Sequence, residues 1–231
     1  MFLDSLFSAA SMLVHGDNDV WRIIWLSLRC TLSACAIAAV LGVPCALLLS
    51  KSRFRGRRGI LVVLNALQAI PTVVVGLALY MFIARQGVLG FFGMLYTPSA
   101  IILGQAVLIL PLVIMLALGA IQRLDAQYRP TALTLGATEF QASLAVIREA
   151  RFALGIALCA AFGRGIGEVG VSMMLGGNIK GFTRTMTTAM ALEYDKGEFT
   201  LALSLGMALL LVSLALNVFL GCVQGARGGE A

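Results

Sequence analysis

Five long apolar runs decide what this chain can become. Residues 23–49, 59–83, 99–120, 152–175 and 201–223 are hydrophobic almost throughout, and three of the five carry no charged residue. A helix needs about 20 such residues to cross a hydrocarbon core about 30 Å thick. A chain with five of them predicts an all-α polytopic membrane protein. Hydrophobic residues make up 60% and charged residues 12% of the sequence, whereas soluble domains hold about 25% charged residues. No stretch is long or polar enough for a separate soluble domain, so residues 1–231 read as one transmembrane domain.

The formal net charge of +6 raises the question of nucleic acid. In an embedded chain, basic residues mark cytoplasmic loops instead. Lys51, Arg53, Arg55, Arg57 and Arg58 crowd the first loop, and Arg123, Arg129, Arg148 and Arg151 the third, which spans 121–151. The second loop has only Arg85. In the fourth, Lys180, Arg184 and Lys196 are balanced by Glu193, Asp195 and Glu198. This alternation predicts an N-terminus outside and a C-terminus, with Arg227, in the cytoplasm. The first twenty residues hold Asp4, Asp17 and Asp19 but no lysine or arginine, unlike an ordinary signal peptide.

Some residues offer little chemistry. Cys30, Cys35, Cys45, Cys159 and Cys222 sit in apolar runs without a CxxC pair and read as small hydrophobes. His15 has no partner cluster. Pro44, Pro71 and Pro111 fall inside spans and read as kinks that neighbouring helices can satisfy. Gly165-Ile-Gly-Glu-Val-Gly170 fits GxGxxG, but no strand precedes it, so it fails the context of a dinucleotide site. Gly163 and Gly167 form GxxxG, a close-packing pattern. No GxxxxGK[ST] occurs, so the chain lacks a P-loop for ATP.

Arg164 and Glu168 are harder to dismiss. They lie one helical turn apart in the run 152–175, and a charge at membrane depth costs about 2.5–3.5 kcal/mol on insertion scales. Arginine before glutamate is the less favourable i,i+4 order for helix stability. The pair is either an ion pair that holds helices together or the lining of an anion path, where Glu168 orients a guanidinium fork suited to oxyanions. An intramembrane enzyme using Glu168 as acid or base is a competing reading, without an evident second catalytic group. A channel is a third. The polar run after it supplies Asn178, Lys180, Thr183, Arg184, Thr185, Thr187 and Thr188, readable as a solvated loop or as the outer mouth of a path.

The third loop reads Arg129-Pro-Thr-Ala-Leu-Thr-Leu-Gly-Ala-Thr-Glu-Phe-Gln-Ala-Ser-Leu-Ala-Val-Ile-Arg148. Leu133, Ala137, Phe140, Leu144 and Ile147 recur near helical spacing, and Pro130 suits a first helical turn. An amphipathic helix is expected there, either lying on the membrane or docking a partner. The segment resembles the coupling loop of ABC importer permeases, with Gly136 on the motif glycine and Ala132 on its second alanine. Pro130 and Thr131 replace the usual Glu-Ala, and Val146-Ile-Arg-Glu149 replaces Ile-x-Leu-Pro. Phe162-Gly-Arg-Gly-Ile-Gly-Glu168 with Gly176-Gly-Asn178 resembles the permeases for molybdate, tungstate and sulfate. Gly177-Asn-Ile-Lys-Gly-Phe-Thr-Arg184, Thr187-Thr-Ala189 and Lys196-Gly197 look most like the tungstate branch.

That resemblance implies a permease subunit of the bacterial inner membrane, working as a homodimer and importing an intact oxyanion, tungstate foremost and molybdate as the alternative. It implies a cytoplasmic ATPase partner that uses ATP and Mg, and an extracytoplasmic oxyanion-binding protein. Arg164, Glu168 and Asn178 become expected path or gate residues. Ala132, Leu135, Gly136 and Ala137 are expected to couple to the ATPase, and Lys180, Thr183, Arg184 and Thr187 to form the outer mouth or docking surface. No metal or cofactor is expected in the chain, and no nucleic acid among its partners.

Overall fold

A computed structural model describes residue 11 and residues 18–51 and 55–228, with side chains as far as Val218. Asp4, His15, Asp17 and Arg53, and the side chains of Cys222 and Arg227, lie outside the described residues. Among the described residues, eight helices of seven or more residues follow one another: α1 Asn18–Lys51, α2 Arg57–Ala69, α3 Thr72–Ile83, α4 Pro98–Thr134, α5 Glu139–Ile166, α6 Gly170–Gly176, α7 Met186–Asp195 and α8 Phe199–Gly228. A single 3₁₀ turn, Gly90–Phe92, lies between α3 and α4. Among the described residues there is no strand. The all-α architecture is as the apolar runs predict.

Helices α1, α4 and α8 are each long and apolar enough to cross a membrane. They match three of the expected spans. α1 and α4 run side by side in the same direction, since Cys30 approaches Pro98 and Gly42 packs on Val113 and Ile114. Their buried faces meet in a core of Ala34, Ala38, Ile109 and Val113, joined by Phe162 of α5 and Leu205 of α8. Trp25, Val40 and Leu48 on α1, Met81 on α3 and Leu210 on α8 are left exposed, which suits contact with lipid.

The other two expected spans are broken. The run 59–83 bends by 101° between α2 and α3. The residue before a proline is pushed out of the helical region by its ring, and Ile70 before Pro71 is extended at φ −68° and ψ 132°. Pro44 and Pro111 stay inside continuous helices, so Pro71 alone of the three breaks its span. The run 152–175 ends as a helix at Ile166, and a second short helix begins at Gly170. Irregular backbone at membrane depth is stable only where protein or a cavity covers it. The two breaks cover each other: a Cβ on Gly170 would lie 2.8 Å from Thr72 Oγ1 and 2.9 Å from Val73 Cγ2. Only glycine permits that approach.

The third loop differs most from expectation. It is no separate amphipathic helix. α4 stays helical for 37 residues, about 55 Å at 1.5 Å per residue, well beyond a bilayer core. Its charge-free part ends at Gln122, so about 18 Å of helix projects further. α5 returns alongside it from Glu139. Pro130 lies inside α4 rather than starting a helix, and Ala132 falls in its last turn. Gly136 closes the hairpin at φ +85°, the left-handed region that favours glycine. Thr138 then caps α5 through a reciprocal bond with Gln141. Ile121, Val146 and Ala150 form a dry seam inside the stalk. Arg129 clamps its tip, 2.8 Å from Asp125 and 2.6 Å from Glu139.

Arg129 is largely buried between these two carboxylates, and hydrogen bonds to charged groups contribute about 1.5–3 kcal/mol each. Arg129→Met is expected to loosen the turn and speed proteolytic cleavage at 135–138 several-fold. Glu139→Gln, which leaves the Asp125 contact intact, should have a smaller effect.

Candidate functional site

Glu168 sits at the joint of the broken fourth run. Gly167 ends α5, so Arg164 and Glu168 do not share one continuous helix as their spacing suggested. They still meet, with Arg164 Nη1 3.1 Å from Glu168 Oε2. The other carboxylate oxygen accepts the backbone N–H of Val171 at 3.1 Å, one of the unpaired donors at the start of α6. The Glu168 carbonyl in turn accepts from the Thr187 hydroxyl at 2.8 Å. Gln105 of α4 donates to the Gly165 carbonyl at 3.3 Å. One buried carboxylate and two neutral side chains thus satisfy backbone groups that the break sets free.

The two charges face different surroundings. The Glu168 side chain is 3% exposed and that of Arg164 44%. Arg164 opens onto a pocket of about 110 Å³ walled by Leu67, Gln68, Leu108 and Leu112. An isolated buried carboxylate would be costly, and Arg164 offsets that cost while presenting donors to the pocket. Both Glu168 oxygens are engaged, which suits an anchor better than an acid or base.

Gln68 was not singled out by the sequence. It stands next to the break at Ile70–Pro71, lines the same pocket as Arg164, and donates from Nε2 to the Leu64 carbonyl at 3.2 Å. Its one visible signal was an amide in a charge-free span. Asn178 does not line this pocket. It occupies a turn at φ +50° and donates from Nδ2 to the Thr188 carbonyl at 3.1 Å.

The fourth loop is not a solvated loop. Thr183, Thr185, Thr187 and Thr188 are buried. Thr183 accepts from Ile179 N–H and donates to the Gly176 carbonyl, and Thr185 and Thr188 cap α7 reciprocally. Thr183 and Thr187 therefore offer no docking surface: their hydroxyls are spent on backbone. Arg184 is mostly buried, 3.3 Å from Glu193, which also meets Lys196 at 3.0 Å. Lys180 alone of the four expected mouth residues is largely exposed, and pairs with Asp19 at 2.9 Å. Cys45 likewise departs from the expected buried cysteine and is exposed.

At the stalk tip, Leu135 is 83% and Phe140 77% exposed. An aromatic and an aliphatic side chain held out on a rigid turn form an apolar contact point.

Residues 38–226 fit the family model of the binding-protein-dependent transport system inner membrane component. The chain belongs to this family of ABC transporter permeases. It is thus a multi-pass permease subunit of the inner membrane rather than an enzyme. It is 38% identical over 217 residues to a tungstate uptake system permease protein of Peptoclostridium acidaminophilum, covering 94% of this chain and 95% of the relative. A tungstate uptake system permease protein of Campylobacter jejuni is 37% identical over 221 residues, covering 94% and 92%. The fold is similar to a chain of the MetNI methionine ABC transporter in an inward-facing conformation. There the TM-score is 0.72 at 18% identity, covering 89% of this chain and 95% of that one.

Substitutions at Glu168 separate its two contacts. Glu168→Gln keeps a carbonyl acceptor for Val171 and should lower the unfolding temperature in detergent only moderately. Glu168→Ala removes both contacts and is expected to cost about 3 kcal/mol or more, because a buried pair is broken from one side. Equal stability of the two variants would contradict the anchoring role.

Proposed function

We propose that this chain is the permease of an ATP-driven importer for tungstate. Two copies form the path, a cytoplasmic ATPase docks on the stalk tips, and an extracytoplasmic binding protein delivers the anion. The observation that carries the proposal is the split environment of the charged pair. Glu168 is buried as an anchor, and Arg164 is held half-exposed over a pocket between α2, α4 and α5. A guanidinium braced from behind by a carboxylate cannot fold away, and its planar fork matches a tetrahedral dianion. The tungstate permeases named above support the choice of solute.

The route follows from the elements. An anion reaching Arg164 trades water for charge-assisted hydrogen bonds. Gln68 lines the same pocket; its Nε2 donates one N–H to the Leu64 carbonyl and keeps the second for the anion's remaining oxygens. The anion leaves unaltered when the pocket opens to the other side. Opening requires α5 to move against α2, and the stalk that carries α5 out of the membrane is where a partner can grip it. Leu135, Gly136 and Ala137 at the turn, with Ala132 just before it, form that grip. The hydrolysis of ATP with Mg belongs to the partner.

Two measurements test this. In vesicles holding the permease with its ATPase and binding protein, Arg164→Ala is expected to cut ATP-dependent tungstate uptake at least about tenfold, as loss of hydrogen bonds to a charged group implies. The complex should stay assembled. Near-normal uptake, or uptake by vesicles without ATPase, would sink the reading. Separately, Phe140→Asp should abolish co-purification of the ATPase while leaving the permease's unfolding temperature unchanged, since the side chain touches little within the chain.

A further inference from the structure

A second cationic site lies outside the pocket that holds Arg164, at the end of the molecule where α1 begins. A pocket of about 170 Å³ opens between α1 and the turn 180–184. Arg22, Arg29, Lys180 and Arg184 line it, with Asp19 as the acidic member of the wall. Lys180 is paired with Asp19, and Arg184 with Glu193 behind it. Arg22 and Arg29 are exposed, and no ion pair among the described residues is formed by either. The wall therefore holds more positive charge than it neutralises.

Depth and composition identify the occupant. From Cys30 to Ser50, α1 has no charged residue. That length is about 31 Å of helix and is sufficient to cross the hydrocarbon core alone. Arg29 then stands at the edge of the core, and Arg22, two turns earlier, stands at headgroup level. Trp25 lies between them, lines the same pocket and is 70% exposed; tryptophan favours this boundary. Below it, Leu32 and Val40 are exposed along α1, an apolar track for an acyl chain. A free oxyanion would use the cations but not the tryptophan or the track.

We propose that this pocket binds the headgroup phosphate of an acidic phospholipid, with Arg22, Arg29 and Lys180 as its ligands and Trp25 against the upper acyl region. The lipid bridges α1 to the turn before α7, and so ties the outer helix to the segment whose Thr187 holds Glu168. The site stands or fails independently of which solute crosses at Arg164.

Trp21 and Trp25 are the two tryptophans of the chain, so Trp21→Phe leaves Trp25 as sole reporter. The full-length Trp21→Phe chain is placed in vesicles containing brominated phosphatidylglycerol or, at equal mole fraction, brominated phosphatidylcholine. Phosphatidylglycerol is expected to occupy the quenching position about fivefold more strongly, the scale of one basic residue beside an anionic lipid. Adding Arg22→Gln, Arg29→Gln and Lys180→Gln, all exposed positions, should bring the ratio close to one. Arg85→Gln, outside this pocket, should leave it unchanged. Equal quenching by the two lipids, or a preference that survives loss of Arg22, Arg29 and Lys180, overturns the proposal. So does a saturable response of Trp25 to tungstate in zwitterionic vesicles that abolishes the phosphatidylglycerol preference, because the site would then belong to a free oxyanion.

Discussion

The fold depends on one buried carboxylate that stands in for missing backbone bonds. Where α5 stops and α6 has not begun, peptide groups at membrane depth lose their helical partners. Glu168 supplies an acceptor to Val171, and its own carbonyl receives Thr187. A neutral side chain could fill that structural place more cheaply. Choosing a carboxylate obliges the chain to keep a cation beside it, and Arg164 is that cation. Anchor and pocket are thus coupled at a single ion pair: the carboxylate needs the charge, and the charge faces the pocket.

The same economy governs the polar run after α6. Four buried threonines spend their hydroxyls on backbone groups and on each other. Their donors are consumed by a tight descent from α6 into α7. The charges pair with one another instead: Lys180 meets Asp19 at the surface, and the buried Glu193 is shared by Arg184 and Lys196. Ordering this loop costs entropy that the hydroxyl bonds and the caps of α7 offset.

Much of the architecture was legible because hydrophobic length is a direct readout of bilayer thickness. α1, α4 and α8 follow from that rule. It fails where apolar composition hides a break. Residues 59–83 look uniform, and only Pro71 hints at the 101° bend; nothing local distinguishes it from Pro44 or Pro111, which helices absorb. The break at Gly167 is masked likewise by i,i+4 spacing, since Arg164 and Glu168 meet whether or not the helix continues. The stalk was misread for the opposite reason. Its charges look like a loop, yet Ile121, Val146 and Ala150 give two long helices a shared seam. Thr183 and Thr187 were misplaced because a hydroxyl in sequence does not reveal whether water or a carbonyl will receive it. Gln68 was passed over because its meaning comes from Arg164, distant in the chain.

The continuity of α5 has a mechanical consequence. From Glu139 beside the stalk turn to Arg164 at the pocket there is no glycine turn, proline or cap, only unbroken helix about 38 Å long. A force applied at Phe140 therefore reaches the guanidinium without an intervening joint. Compliance begins immediately beyond it, at Gly167. The molecule is stiff from the stalk turn to Arg164 and jointed just beyond it, so a small tilt of α5 becomes a displacement of the guanidinium relative to Gln68 rather than a bend along the way.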